Sequence, residues 1–150
     1  MWTFYLFQQL PFHGMHADKV GHLLELSLKN LGLDYVDLYL VHNPVGCPYI
    51  DDQTMLAHNP DGSPLLDMTT DLEAVWKSME EQVRAGRTRS IGVSNFSTSQ
   101  VDRMLKIASI KPANIQLELH AYMQQRPIRE QAKKHGIVVT SYGSLGKNLP

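Results

Sequence analysis

The sequence predicts an α/β fold of about five parallel strands separated by helices. Three observations predict it. Apolar segments of strand length alternate with segments of helical period. The strand segments are rich in Val, Ile and Leu, as parallel strands covered on both faces are. Four successive strands also finish on hydrogen-bonding or aromatic side chains, at His42, at Ser94 and Asn95, at His120, and at Tyr142.

The first strand is residues 3–10, TFYLFQQL, aromatic and β-prone and closed by Pro11. Helical spacing of Val20, Leu23, Leu24, Leu28 and Leu31 predicts a helix over 18–31, with Asp18 in its first turn and Gly32 as its stop. YVDLYLVH, 35–42, reads as a strand with Val36, Leu38, Leu40 and His42 on one face. Residues 43–70 carry Pro44, Pro48, Pro60 and Pro64 without a period, and a loop that long in a compact domain is often functional. A helix follows over 71–85, closed by Gly86, and then a strand over 90–95, SIGVSN. Ser97 or Thr98 can cap the next helix, which carries Val101, Met104 and Leu105. NIQLEL alternates up to His120 as a strand, Pro127 opens a helix that stops before Gly136, and IVVTSY, 137–142, is the last strand.

Two architectures accommodate this order, an open doubly wound sheet and a (β/α) barrel. The doubly wound sheet would usually show a GxGxxG turn after its first strand, and none is present. In a parallel barrel the carboxyl ends of all strands lie on one face, where sites form. A ring of His, Ser, Asn, Gln and Tyr there suits a flat, amide-bearing aromatic ligand, because Asn and Gln pair with a carboxamide and Tyr stacks on a ring. Ser94 and Asn95 have two readings: they cap the following helix, or they hold such a ligand.

The chain has 150 residues, which suits one domain over 1–150, and 43% are hydrophobic. Its net charge is −1, which favours neither nucleic acid nor an anionic membrane as a partner. The single cysteine, Cys47, excludes an internal disulfide and makes a reducing, cytoplasmic setting the default. MWTFYLFQQLPF lacks the basic start and cleavage site of a signal peptide. His13, His16 and His22 share no ligand-spaced helix face, so they read as an exposed loop leading into a helix, and no metal is expected. RAGRTRS reads as a solvated loop before a strand.

LGLDYVDLYLVHNP, GRTRSIGVSNF, IQLELHAY and VVTSYGSLG, in this order, resemble consecutive segments of the aldo-keto reductases. GVSNF at this distance from YLVHNP is specific in combination, and the likeness runs from about residue 10 to residue 147. The resemblance implies a partial (β/α)8 barrel that reduces small aldehydes and ketones with NADPH, with no obligate protein partner. It implies His42 as the residue that orients the carbonyl, and Asn43 beside it in the substrate pocket in place of a bulky aromatic. Ser94 and Asn95, with Gln116, match the residues that hold the nicotinamide carboxamide. Tyr142 matches the ring that stacks on the nicotinamide, and Gly143 to Gly146, Leu145 among them, match the start of the loop over the pyrophosphate.

The family mechanism uses Asp, Tyr, Lys and His. His42 is the only one of the four present: Gln9 stands at the Lys position, and the Asp and Tyr belong upstream of these residues. A barrel takes roughly 250 residues. Residues 1–150 therefore read as an incomplete barrel with impaired turnover, or alternatively as a non-catalytic piece that binds nucleotide weakly or serves as an interaction product.

Overall fold

The structure is a computed structural model that describes residues 5–146, so the expected strand residues Thr3 and Phe4 lie outside it. Its strands are β1 (Phe7–Leu10), β2 (Val36–Val41), β3 (Thr88–Ser94), β4 (Asn114–Glu118) and β5 (Val138–Tyr142). Helices α1 (Ala17–Leu31), α2 (Leu72–Arg84), α3 (Thr98–Ile107) and α4 (Arg126–His135) alternate with them, and a 3-10 turn, Phe12–Gly14, follows β1.

All five strands are parallel and neighbour one another in sequence order, β1-β2-β3-β4-β5. That order decides between the two architectures. A doubly wound sheet reverses its strand order at a switch point, and this sheet does not. Right-handed crossovers without a reversal put every helix on one face, and each helix touches the next around that face. The result is a barrel wall of five strands that stays open, with β1 and β5 as edges.

The helix-facing side of the sheet is the core. Tyr39 and Val41, Ile91 and Val93, and Ile115 and Leu117 pack against the apolar stripes of the four helices. Trp76 of α2 is fully buried and donates from Nε1 to the Ile110 carbonyl at 3.2 Å. Glu80 is buried too. Its Oε1 accepts from Ser109 N–H (2.7 Å) and Ile110 N–H (2.9 Å), and its Oε2 pairs with Arg84 at 3.0 Å, which fastens α2 to the α3–β4 connection. Such a carboxylate is tolerated inside because its lone pairs are taken up.

Helix ends follow their sequence signals. Asp71 caps α2, accepting from the Glu73 and Ala74 amides. Ser97 and Gln100 form a reciprocal capping box on α3. Gly32 and Gly136 take the left-handed conformation that closes α1 and α4. No helix among the described residues is long and apolar enough to cross a membrane.

Several boundaries differ from expectation. β1 is shorter than 3–10, because Tyr5 and Leu6 stand outside the ladder, although the Leu6 carbonyl still accepts from the Asp37 amide at 2.8 Å. β3 starts earlier, at Thr88, so the charged stretch is partly strand: Arg89 pairs with Asp37 at 3.0 Å and lies over the Tyr35 ring. β4 ends at Glu118, which leaves His120 in the following turn. The histidine-rich segment is not an exposed loop. His13 is 1% exposed, because the 3-10 turn packs it under Tyr49 of the long loop. That loop folds on itself through the bridges Gly46–Asp67 and His58–Pro64.

Candidate functional site

Side chains alternate across a strand, so the residues that do not face the helices point to the concave side. On β3 these are Gly92 and Ser94, since Ile91 and Val93 belong to the core. On β4 they are Asn114, Gln116 and Glu118, and on β5 they are Val138, Thr140 and Tyr142. At the carboxyl end of this side the sequence-predicted residues meet.

Asn95 is the joint. It follows β3 in the left-handed region, φ 62°, which Asn adopts more readily than most residues. Its backbone N–H donates to the Gln116 carbonyl at 3.0 Å, and its Nδ2 donates to the His42 carbonyl at 2.9 Å. Its Oδ1 accepts from the Tyr142 hydroxyl at 2.7 Å. The ends of β2, β3, β4 and β5 are thus tied through one side chain and its peptide. A primary amide has two donors and two lone pairs, so Asn95 keeps one of each.

Ser94 is fully buried and its Oγ has no hydrogen-bond partner. The helix-capping reading is excluded for it and for Asn95, because Ser97 and Gln100 cap α3. A buried hydroxyl without a partner costs stability, and this one sits at a strand end beside its register partner Gln116. Gln116 uses its Oε1 to accept from Gln9 Nε2 at 2.9 Å, leaving its own amide donors open.

His42 follows β2 directly, half-buried, with its ring 5.8 Å from that of Phe12 and tilted to it. Burial lowers its pKa below the ordinary imidazole value, so at neutral pH the ring is uncharged and offers one N–H donor and one acceptor. Asn43, half-buried, begins the long loop beside it. His120 closes a turn: its Nδ1 accepts from the Tyr122 and Met123 amides, which puts its proton on Nε2, 3.3 Å from Glu118.

Gly143 takes φ 60° and starts a turn that Gly146 N–H closes on the Gly143 carbonyl at 2.8 Å. Leu145 is the one predicted site residue that stands apart, with its side chain 98% exposed. Sequence reasoning missed Phe12 as the wall of His42. The rule that found the other residues, polar or aromatic groups just past a strand's carboxyl end, also applies to Phe12, two residues after β1. It also missed the bond between Gln9 and Gln116, because the two lie 107 residues apart.

A nicotinamide carboxamide presents one carbonyl and one NH2. The free Ser94 hydroxyl, the remaining donor and acceptor of Asn95 and the open donors of Gln116 complement both groups, and the Tyr142 ring lies beside them. The residues present fit the group.

Comparison with known proteins gives the family and the fold. Residues 12–149 match the model of the aldo/keto reductase family. The chain is 42% identical over 131 residues to aldo-keto reductase family 1 member A1 of Xenopus tropicalis, covering 87% of this chain and 39% of that protein. It is 37% identical over 134 residues to the NAD(P)H-dependent D-xylose reductase of Pyricularia oryzae, covering 87% and 41%. The structure of an aldose reductase from Schistosoma japonicum superposes with a TM-score of 0.89 at 37% identity, covering 95% of this chain and 46% of that one. The chain therefore spans about two fifths of the length of the curated relatives it matches, and it belongs to the aldo/keto reductase family.

Proposed function

We propose that this chain carries the nicotinamide-binding side of an NADPH-dependent reductase of small aldehydes and ketones. The observation that carries the reading is the fully buried Ser94 hydroxyl with no partner, next to the open amide donors of Gln116. In this reading Ser94, Asn95 and Gln116 hold the carboxamide, Tyr142 presents its ring to the nicotinamide, and Gly143 and Leu145 begin the segment over the pyrophosphate. When bound, the reduced nicotinamide supplies a hydride to a carbonyl carbon. His42, neutral at pH 7, donates a hydrogen bond to the carbonyl oxygen and orients it, with Asn43 lining the pocket beside it. A cytoplasmic setting belongs to the same reading, since Cys47 is buried as a free thiol.

Reduction also needs a proton delivered to the carbonyl oxygen. Gln9 occupies the place of the family's lysine, and an amide neither titrates nor lowers the pKa of a neighbouring phenol as an ammonium does. These 150 residues are therefore expected to bind reduced nucleotide and turn it over poorly.

The test uses the purified chain. Nucleotide fluorescence should saturate with NADPH, more tightly than with NADH, while NADPH oxidation with a reactive aldehyde stays near background. Absence of saturable binding to either nucleotide overturns the cofactor reading. Robust turnover overturns the claim of impaired chemistry.

A further inference from the structure

Gln9 and Gln116 lie on β1 and β4, with two strands between them, yet Gln9 Nε2 donates to Gln116 Oε1 at 2.9 Å. The ladder shows how they meet. Gln9 is level with Leu40, Leu40 with Gly92, and Gly92 with Asn114, two residues before Gln116. A Cβ at Gly92 would stand 2.7 Å from Leu40 Cδ2 and 2.5 Å from the Asn114 carbonyl. Glycine there lets Leu40 lie over β3, and the two amides close across the concave side above it.

The consequence for Gln116 is directional. A primary amide presents a carbonyl on one side and NH2 on the other, and a half-turn about its last bond exchanges them. A donor from Gln9 fixes the Gln116 oxygen toward β1 and leaves its NH2 for the strand-end site, where the buried Ser94 hydroxyl lacks a partner. Ser94 and Gln116 are register partners, so both flank the same position.

We infer that Gln9 is a positioning residue: by donating to Gln116 it selects which side of that amide meets the nicotinamide carboxamide. The inference rests on the cofactor reading above. It also gives the glutamine at the lysine position a task that a lysine shares only as a donor. What matters at residue 9 for cofactor binding is the sense of the hydrogen bond, not the charge.

The experiment is a three-variant series on the full chain, read by NADPH fluorescence titration and by denaturant midpoint. Gln9→Lys keeps a donor and should hold affinity near that of the parent. Gln9→Leu frees the amide to rotate, and affinity should fall about 3-fold. Gln9→Glu can only accept, which forces Gln116 to reverse, and affinity should fall about 10-fold. Side-chain amide NMR should show the Gln116 NH2 signals shifting on NADPH addition in the parent and in Gln9→Lys, but not in Gln9→Glu. A merely structural role predicts losses that follow the denaturant midpoints, with Gln9→Lys and Gln9→Glu alike. Equal affinities across a series whose parent binds NADPH overturn the positioning role alone. A parent chain that binds no nucleotide overturns the cofactor reading and this inference with it.

Discussion

The two sides of the β-sheet follow different rules. On the helix-facing side β1 to β4 contribute buried apolar residues, and the polar atoms of Trp76 and Glu80 there are satisfied, while Gln131 Oε1 on α4 lacks a partner. On the concave side Leu38 and Leu40 share space with Gln9, Ser94, Asn114 and Gln116, and two buried atoms, Ser94 Oγ and Asn114 Oδ1, lack partners. Apolar residues would serve stability better at those positions, since an unpaired buried polar group opposes folding. In the proposed reading, stability falls to the outer side and recognition to the inner one.

The largest test of that division is on the outer side. Trp76→Ala removes a fully buried ring and its hydrogen bond to Ile110, and should cost about 3–5 kcal/mol. Urea denaturation followed by circular dichroism measures it. A loss below about 1 kcal/mol would mean that α2 is not anchored to the core as described.

Gly92→Ala probes the boundary between the sides. The new methyl meets the Asn114 backbone at 2.5 Å, which a flexible side chain cannot relieve by moving, so a cost of about 1–3 kcal/mol is expected. It should also weaken the Gln9–Gln116 contact, seen as altered side-chain amide signals even without nucleotide. An unchanged midpoint would show that β3 and β4 can part at this level.

Ser94→Ala sharpens the comparison by moving stability and binding in opposite directions. Removing an unpartnered buried hydroxyl should raise stability by about 1 kcal/mol while weakening NADPH binding about 3- to 10-fold. A variant that is both less stable and unaltered in affinity would place Ser94 with the core rather than with the site.

The outer side was legible in the sequence and the inner one only in part. Apolar periodicity located the first three helices, because a stripe facing a core repeats locally along the chain, and Pro127 and Gly136 marked the ends of the fourth. The terminal polar residues His42, Ser94, Asn95 and Tyr142 were visible for the same reason, each ending a strand pattern. How they connect was not visible. The Asn95 bonds to His42 and Tyr142 span 53 and 47 residues, and such pairs depend on register, which no local pattern encodes. The strand order that separated a barrel wall from a doubly wound sheet is likewise a property of pairing. His13 failed as an exposed residue because the long loop, which has no period to read, folds over it.

The smallest expected effect concerns pH, and it lies where the two sides meet. Burial beside Phe12 depresses the pKa of His42 in the folded chain. The unfolded chain, with an ordinary imidazole value of about 6.5, therefore takes up this proton before the folded chain does. Stability contributed at this position is flat above that value and falls as the pH drops below it, because the unfolded state then binds more protons. His42→Gln keeps a hydrogen-bonding side chain but does not titrate. Its denaturant midpoint should fall less than that of the parent between neutral and mildly acidic pH, the difference between the two profiles isolating His42 from the other six histidines. Half-exposure keeps the difference small. Parallel profiles would mean that the ring is as free to ionise as in water, and with that the neutral donor assigned to the carbonyl would lose its physical basis.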